Sequence, residues 1–470
     1  MIFNSLVFWV FFAVVYGVYR ALPHRGQNIL LLVSSYFFYG WWDWRFLSLI
    51  FISTVVDYWA GLAIDGAGPN ERRRRMAIWV SMATNLGILG FFKYFNFFAD
   101  NLVVLLQTIG VTTPIRHLNI ILPVGISFYT FQTMSYTLDI YRGQLRATRR
   151  FIDFAAFVSF FPQLVAGPIE RAAKLLPQIA NPRVISREDM QSGAWLVFWG
   201  LFKKCVIADN LAVLVDGVFG VETATGATAL LALYAFAFQI YCDFSGYSDI
   251  ARGLARWMGI KLMLNFNNPY FAANPKDFWA RWHMSLSTWL RDYLYISLGG
   301  NRRGPRRRYV NLMLTMVLGG LWHGAAWTFV VWGAFHGFLL VAYHAWTAWF
   351  ASQDGVASKR WIWARRVLMF HVVCLGWLFF RAASLTQAGH MLQLIVTNFA
   401  WNVQATNMLV ALTLFCLPLW VVQNLQVVSG RLSAPTELSL LPRVALYAVL
   451  ILMGVALGNT GGGAFIYFQF

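Results

Sequence analysis

The chain has 470 residues; Ala, Val, Ile, Leu, Met, Phe, Trp, Tyr and Cys make up 59% of them, and only 12% are charged. Soluble domains carry about 25% charged residues, so a string of water-soluble domains is excluded and lipid is the main solvent. The net charge of +18, from 37 Lys and Arg against 19 Asp and Glu, sits in short loops between apolar segments, where basic residues set membrane orientation and do not indicate nucleic acid as a partner.

A spanning helix needs about 20 mostly apolar residues. Candidate segments are predicted near 5–22, 28–42, 45–64, 76–110, 119–141, 151–166, 190–216, 227–246, 310–329, 330–350, 364–381, 405–425 and 443–459. The fold class expected is therefore an all-α, polytopic integral membrane protein. Met1 to Tyr19 carries no positive charge, and Arg20 and Arg25 follow the apolar run. A cleaved signal has the reverse order, so the segment reads as a first helix with its N-terminus outside and its C-terminal end in the cytoplasm.

Blocks of positive charge lie at Arg72–Arg75, Arg142–Arg150, Arg302–Arg308 and Lys359–Arg366. Keeping both Arg72–Arg75 and Arg142–Arg150 inside requires an even number of crossings over 76–141. One long or broken helix over 76–110 and a return over 119–141 satisfy that. Lys93, Pro123 and Gly125 mark where such segments would be interrupted. Irregular backbone at membrane depth is tolerated only where protein buries it or a cavity borders it, so interruption hints at an internal site. A further break is expected over Pro162–Arg171, where two prolines and a glycine stop a continuous helix.

The least hydrophobic stretch, 247–309, holds the most informative residues. Asn274-Pro275 predicts a helix start, with Asn as cap and Pro in the first turn. From there Phe278, Trp279, Trp282, Leu286, Trp289, Leu290 and Tyr293 recur at spacings of three and four, while Arg281, Ser285, Thr288, Arg291 and Asp292 take other faces. The pattern predicts an amphipathic helix that lies at the interface or borders an internal aqueous funnel. Just before it, Tyr241 to Asp249 carries Asp243 and Asp249; the reading favours a buried ion pair or helix cap over catalysis, with Arg252 and Arg256 as partners at hand.

Eight histidines occur, and His24 and His117 lie in polar loops. His323 differs: it stands in Leu318-Gly-Gly-Leu-Trp-His-Gly-Ala-Ala-Trp327, within an apolar run. Ionisable groups at such depth mark function by default, although a neutral His bonded to a neighbouring helix is the plain alternative. The surrounding small residues permit close packing or leave room for substrate. A desolvated imidazole stays neutral near pH 7 and can take a proton from a hydroxyl. His283 gains interest only if it meets His323. His336 and His344 read as interhelical glue, with a break invited near His336 by Gly333 and Gly337. The four cysteines form no CxxC pair, and neither a disulfide framework nor a zinc knuckle is indicated. No phosphate-cradling glycine loop, H-E-x-x-H or G-x-S-x-G elbow is present. No His is followed five residues later by Asp.

Four stretches in order, Phe161-Pro-Gln-Leu-Val-Ala-Gly-Pro-Ile169, Cys242-Asp-Phe-Ser-Gly-Tyr-Ser-Asp249, Phe278-Trp-Ala-Arg-Trp-His-Met-Ser-Leu-Ser-Thr-Trp289 and Gly320-Leu-Trp-His-Gly324, resemble the membrane-bound O-acyltransferase family, and most of all its bacterial alginate O-acetyltransferase branch. Phe3–Phe8, Ser34–Trp42, Gly90–Phe95 and Trp377–Arg381 look like that branch too, so the likeness covers roughly residues 1–385. The resemblance implies a ring of tilted helices around a thin core, a single membrane-embedded domain over 1–470 and a catalytic core over about 155–345. It implies that His323 is catalytic and His283 its partner. Trp279, Trp282, Ser285, Trp322, Asp243 and His336 are expected to border the substrate funnel.

The resemblance further implies an acetyl donor on the cytoplasmic side, acetyl-coenzyme A, no bound cofactor or metal, and an exported polysaccharide as acceptor. A periplasmic partner protein would complete the transfer at a bacterial inner membrane. Arg302–Arg308 would edge the funnel and attract coenzyme A phosphates, or simply set topology. Two alternatives stay open on the sequence: D-alanyl transfer to teichoic acid from a carrier protein, and a membrane transporter, whose broken helices and polar residues look similar.

Overall fold

The computed structural model describes residues 1–111, 118–165, 167–220, 224–350, 361–459, 461, 465 and 466. His117, Ala166 and the Lys359-Arg360 start of the last basic block lie outside them. The described residues hold helices and no strands. Among the described residues, seven helical stretches are long and apolar enough to cross a membrane: His24–Asp65, Glu71–Thr108, Gly226–Trp257, Trp327–Trp349, Ile362–Arg381, Val403–Ser429 and Leu440–Leu457. The chain is an all-α polytopic membrane protein. It folds as two compact units, one of Met1–Ala194 with Ala251–Met263, the other of Trp195–Ile250 with Leu264–Phe470.

In the first unit, the Leu6–Ala21 and His24–Asp43 helices pack through Phe3, Phe8 and Phe38, with ring centroids 4.8 and 5.9 Å apart. Lipid supplies no partner for a buried carboxylate, so the protein must. Asp57 accepts from Ser81 Oγ at 2.5 Å and from Asn85 Nδ2 at 2.8 Å, which ties the Leu47–Asp65 helix to Glu71–Leu89. The long 76–110 segment is one continuous helical stretch, Glu71–Thr108, with a π-helical turn over Gly90–Tyr94 that contains Lys93. Its successor begins only at Ile126, after Pro123 and a left-handed Gly125 whose Cβ would lie 2.9 Å from Leu164 O. Around Pro162 the chain makes a four-residue helix, Phe161–Leu164, before Ala172–Ala180. Between them, buried Glu170 accepts from the Met263 amide, and burial pushes its carboxyl up to about 7.

In the second unit, the Gly304–His323 helix turns back at 324–326 into Trp327–Phe350. The two backbones touch at glycines: a Cβ on Gly320 would meet Phe329 O at 2.2 Å, and one on Gly333 would meet Met316 O at 2.4 Å. Small residues permit such close approach in membranes, where packing and not water drives association. This crossing corrects the sequence reading twice. The helix boundary falls at His323 and not near residue 329, and Trp327–Phe350 runs unbroken past His336, because Gly333 serves packing and not a bend.

A third correction concerns charge. Asp243 is held by Lys204 Nζ at 2.8 Å and by the Ile466 amide at 2.7 Å, while Asp249 pairs with Lys203 Nζ at 2.7 Å. Lys204 also reaches Asp209 at 2.7 Å. Both lysines sit in a π-helical turn, Phe202–Ala208, which a linear pattern of hydrophobicity does not reveal. Asp243 is thus a buried ion-pair member, as the sequence favoured, but with a lysine from another helix as its partner.

Candidate active site

The predicted amphipathic helix starts where expected: Asn274 Oδ1 accepts from Asp277 N at 2.8 Å, and Pro275 takes the first turn. It does not continue. The helix ends at Trp279, resumes over Met284–Trp289 and passes into a π-helical turn at Leu290–Tyr295. The interruption is made by the irregular segment before it. Asn265 O accepts from Met284 N at 2.9 Å, and Asn267 N donates to Arg281 O at 2.9 Å. These partners replace helical ones, and His283 takes up the turn with φ 41° and ψ 53°. Left-handed backbone is uncommon outside glycine, though His adopts it more readily than most residues.

His283 is wholly buried. Its Nδ1 lies 3.1 Å from Asn265 Oδ1, which also accepts from Ser285 N at 3.3 Å and Ser285 Oγ at 2.9 Å; Asn265 Nδ2 donates to Ser248 Oγ at 3.1 Å. A backbone N–H cannot accept, so the atom facing Ser285 N is the amide oxygen. The His283 Nδ1 beside it therefore carries the proton, and Nε2 is left as the basic nitrogen. Burial pushes the imidazole down to about 3, so the ring is neutral at physiological pH. Phe244 closes one side, edge-on at 4.6 Å between centroids.

His323 is the last residue of its helix and 3% exposed. Its ring lies 6.3 Å from that of His283, centroid to centroid, with Trp322 beside both at 5.0 and 5.9 Å. Trp332 at 5.0 Å and Phe380 at 5.3 Å complete an aromatic wall. Two histidines forty positions apart in the chain are thereby neighbours among aromatic rings.

A cavity of about 460 Å³ leads to His323. Its outer residues include exposed Lys276, Arg291 and Asn301, and its inner ones include buried Met316, Gly319, His323 and Trp332. Arg308 and His344 also border it. Of the residues expected to line a funnel, Trp279 does so. Trp282, Ser285, Trp322, Asp243 and His336 are not among the lining residues, each for a local reason. Trp282 packs on Trp377 at 4.7 Å, Ser285 is engaged by Asn265, and Trp322 fills the space beside the two histidines. Asp243 is held by Lys204, and His336 stacks on Phe278 at 5.9 Å. Sequence reasoning missed Asn265, Ser248, Trp332 and Phe380. The Asn265, Asn267 and Asn268 cluster before Pro269 signals a turn, but nothing in it points to His283. Among the described residues no group of three or more His, Cys, Asp or Glu could hold a metal ion.

Comparison with known proteins bears on this arrangement. The family model for MBOAT, the membrane-bound O-acyltransferase family, matches residues 143–386. The chain belongs to the membrane-bound O-acyltransferase family. It is 43% identical over 408 residues to the probable alginate O-acetylase AlgI of Azotobacter vinelandii, covering 87% of this chain and 80% of that protein. It is 37% identical to the peptidoglycan O-acetyltransferase of Helicobacter pylori, over 83% of this chain and 78% of the relative. The teichoic acid D-alanyltransferase of Bacillus subtilis is 29% identical over 56% of this chain. Membership makes the protein a membrane-embedded O-acyltransferase and sets the transporter alternative aside.

Proposed function

We propose that this O-acyltransferase moves an acetyl group from acetyl-coenzyme A across the membrane for O-acetylation of an exported polysaccharide such as alginate. The observation that carries the reading is the cavity running from a rim of Lys276, Arg291 and Arg308 to the buried imidazole of His323. A basic mouth attracts the phosphates of the donor, and an inner lining that includes Met316, Gly319 and Trp332 suits a thioester arm. The two alginate- and peptidoglycan-acetylating relatives, at 43% and 37% identity, support acetyl transfer over D-alanyl transfer, to which likeness is 29%.

In this mechanism His323 takes the proton of the acceptor hydroxyl, whose oxygen attacks the thioester carbonyl. The leaving thiolate regains that proton, so the reaction needs no net acid or base. His283 is a neutral partner that orients His323 or its proton, held in one tautomer by Asn265. The catalytic core lies within about 155–345. Under the positive-inside rule the basic rim faces the cytoplasm of a bacterial inner membrane, and a periplasmic partner protein passes the acetyl group to the polymer.

The test is His323→Ala in cells producing the polysaccharide, read by mass spectrometry of surface O-acetyl groups. The expected result is loss of O-acetyl with normal amounts of protein in the membrane. Wild-type acetylation by that variant overturns the assignment. O-acetyl on peptidoglycan and not on an exported polymer would replace the acceptor while leaving the chemistry in place.

A further inference from the structure

We propose that the indole N–H groups of Trp332 and Trp279 form the oxyanion hole of this enzyme, a catalytic role that rests on His323 as the base. Both Nε1 atoms are buried, and neither has a hydrogen-bond partner among the described residues. A buried Trp N–H ordinarily finds an acceptor, and an unmade hydrogen bond is costly inside a protein. Two such donors on neighbouring rings therefore point to an acceptor that arrives with the substrate. Both tryptophans border the cavity that ends at His323. The Trp332 ring stands edge-on to His323, 5.0 Å between centroids and at 83°, and Trp279 lies 5.8 Å from Trp332.

The two indoles share a neighbouring ring. His336 lies 4.9 Å from Trp332 and 5.2 Å from Trp279, and is itself stacked on Phe278 at an interplanar angle of 9°. Trp332 also meets Phe380 at 5.3 Å and Trp377 at 6.0 Å. Donors fixed before the reaction stabilise developing charge without reorganising. Within the hairpin, Gly324 N donates to Gly320 O, and the Phe329 and Val330 amides donate to Ala326 O. The hairpin that presents His323 thus spends those amides on its own turn.

The step balances as follows. His323 accepts the hydroxyl proton as the acceptor oxygen bonds to the thioester carbonyl carbon, and the carbonyl π pair moves onto its oxygen. The indole N–H groups donate to that oxyanion. Collapse restores the C=O bond and breaks C–S, and the thiolate takes the proton from the His323 imidazolium.

The experiment replaces Trp332 with benzothienylalanine, in which sulfur stands for N–H and ring shape is kept, alongside Trp332→Phe. The full-length protein is reconstituted in proteoliposomes with acetyl-coenzyme A, the periplasmic partner protein and an alginate oligosaccharide acceptor, and released thiol is measured. The expected result is a kcat lower by about 10²–10³-fold, with KM for acetyl-coenzyme A within about threefold and an unchanged melting temperature. The same replacement at Trp279 should also lower kcat. Wild-type kcat in the Trp332 benzothienylalanine protein overturns the proposal, as does a kcat loss that only parallels a fall in melting temperature. His323→Ala is assayed in parallel: turnover by that variant removes the base reading, which the Trp332 result does not address.

Discussion

Asn265 is the residue whose removal tests the architecture of the site most sharply. Its side chain receives His283 Nδ1–H, Ser285 N–H and Ser285 Oγ–H and donates to Ser248 Oγ. Asn265→Leu keeps the volume and strands two fixed, buried donors, His283 Nδ1–H and Ser285 N–H. Each orphaned donor costs about 1–3 kcal/mol, so the variant should lose about 2–6 kcal/mol of stability. One relaxation reduces that loss: His283 can shift its proton to Nε2 and let Nδ1 accept from Ser285 Oγ, 3.4 Å away. That rescue presents a donor where the active ring presents a base, so turnover falls even when folding recovers. Ser285→Ala, which removes a donor and strands nothing fixed, should cost about 0.5–1.5 kcal/mol and leave turnover nearly intact. The assay is thermal unfolding in detergent combined with turnover per folded molecule. Wild-type melting and turnover in Asn265→Leu would refute the claim that this amide holds His283.

Three other outcomes follow from separate parts of the molecule. Lys204→Met leaves Asp209 and Asp243 buried without their shared cation, and breaking such a pair costs about 3–5 kcal/mol; a melting temperature equal to wild type would contradict this. Gly320→Ala places a methyl 2.2 Å from Phe329 O and 3.1 Å from Gly333 Cα, neither of which can yield, so it should cost about 1–3 kcal/mol and displace His323 three residues on, with turnover falling more than stability. For pH, His283 is held near 3 when folded against about 6.5 unfolded, so the unfolded chain binds the extra proton. Stability should therefore fall as pH drops from about 6.5 towards 3, by up to about 1.4 kcal/mol per pH unit from this group, and His283→Gln should flatten that part of a melting-temperature profile.

Much of the fold was legible because lipid imposes a single rule, that every spanning backbone satisfies its own hydrogen bonds. Apolar run length alone then located most helices, Pro123-Gly125 marked a true interruption, and Lys93 fell in a π-helical turn of a continuous helix. The isolated histidine in an apolar run was visible for the same reason, since burying an ionisable group among Leu, Trp and Gly is expensive unless it has a use. The periodicity from Phe278 to Tyr293 was also real as a pattern, yet it misled about continuity. Periodicity reports which faces are apolar, and it carries no information about a competing acceptor such as Asn265 O.

The amino-acid order by itself determined the solvent, the helical class, the capped start at Asn274 and the singularity of His323. Only tertiary structure decided that His283 stands beside it, that Asn265 sets its tautomer, that Lys203 and Lys204 neutralise Asp249 and Asp243, and that Trp279 and Trp332 face a common cavity. The physical reason is range. Hydrophobic burial and capping act over a few residues and leave their mark in local sequence, whereas a hydrogen bond between residues 265 and 283, or an ion pair between 204 and 243, depends on how separate segments come to pack.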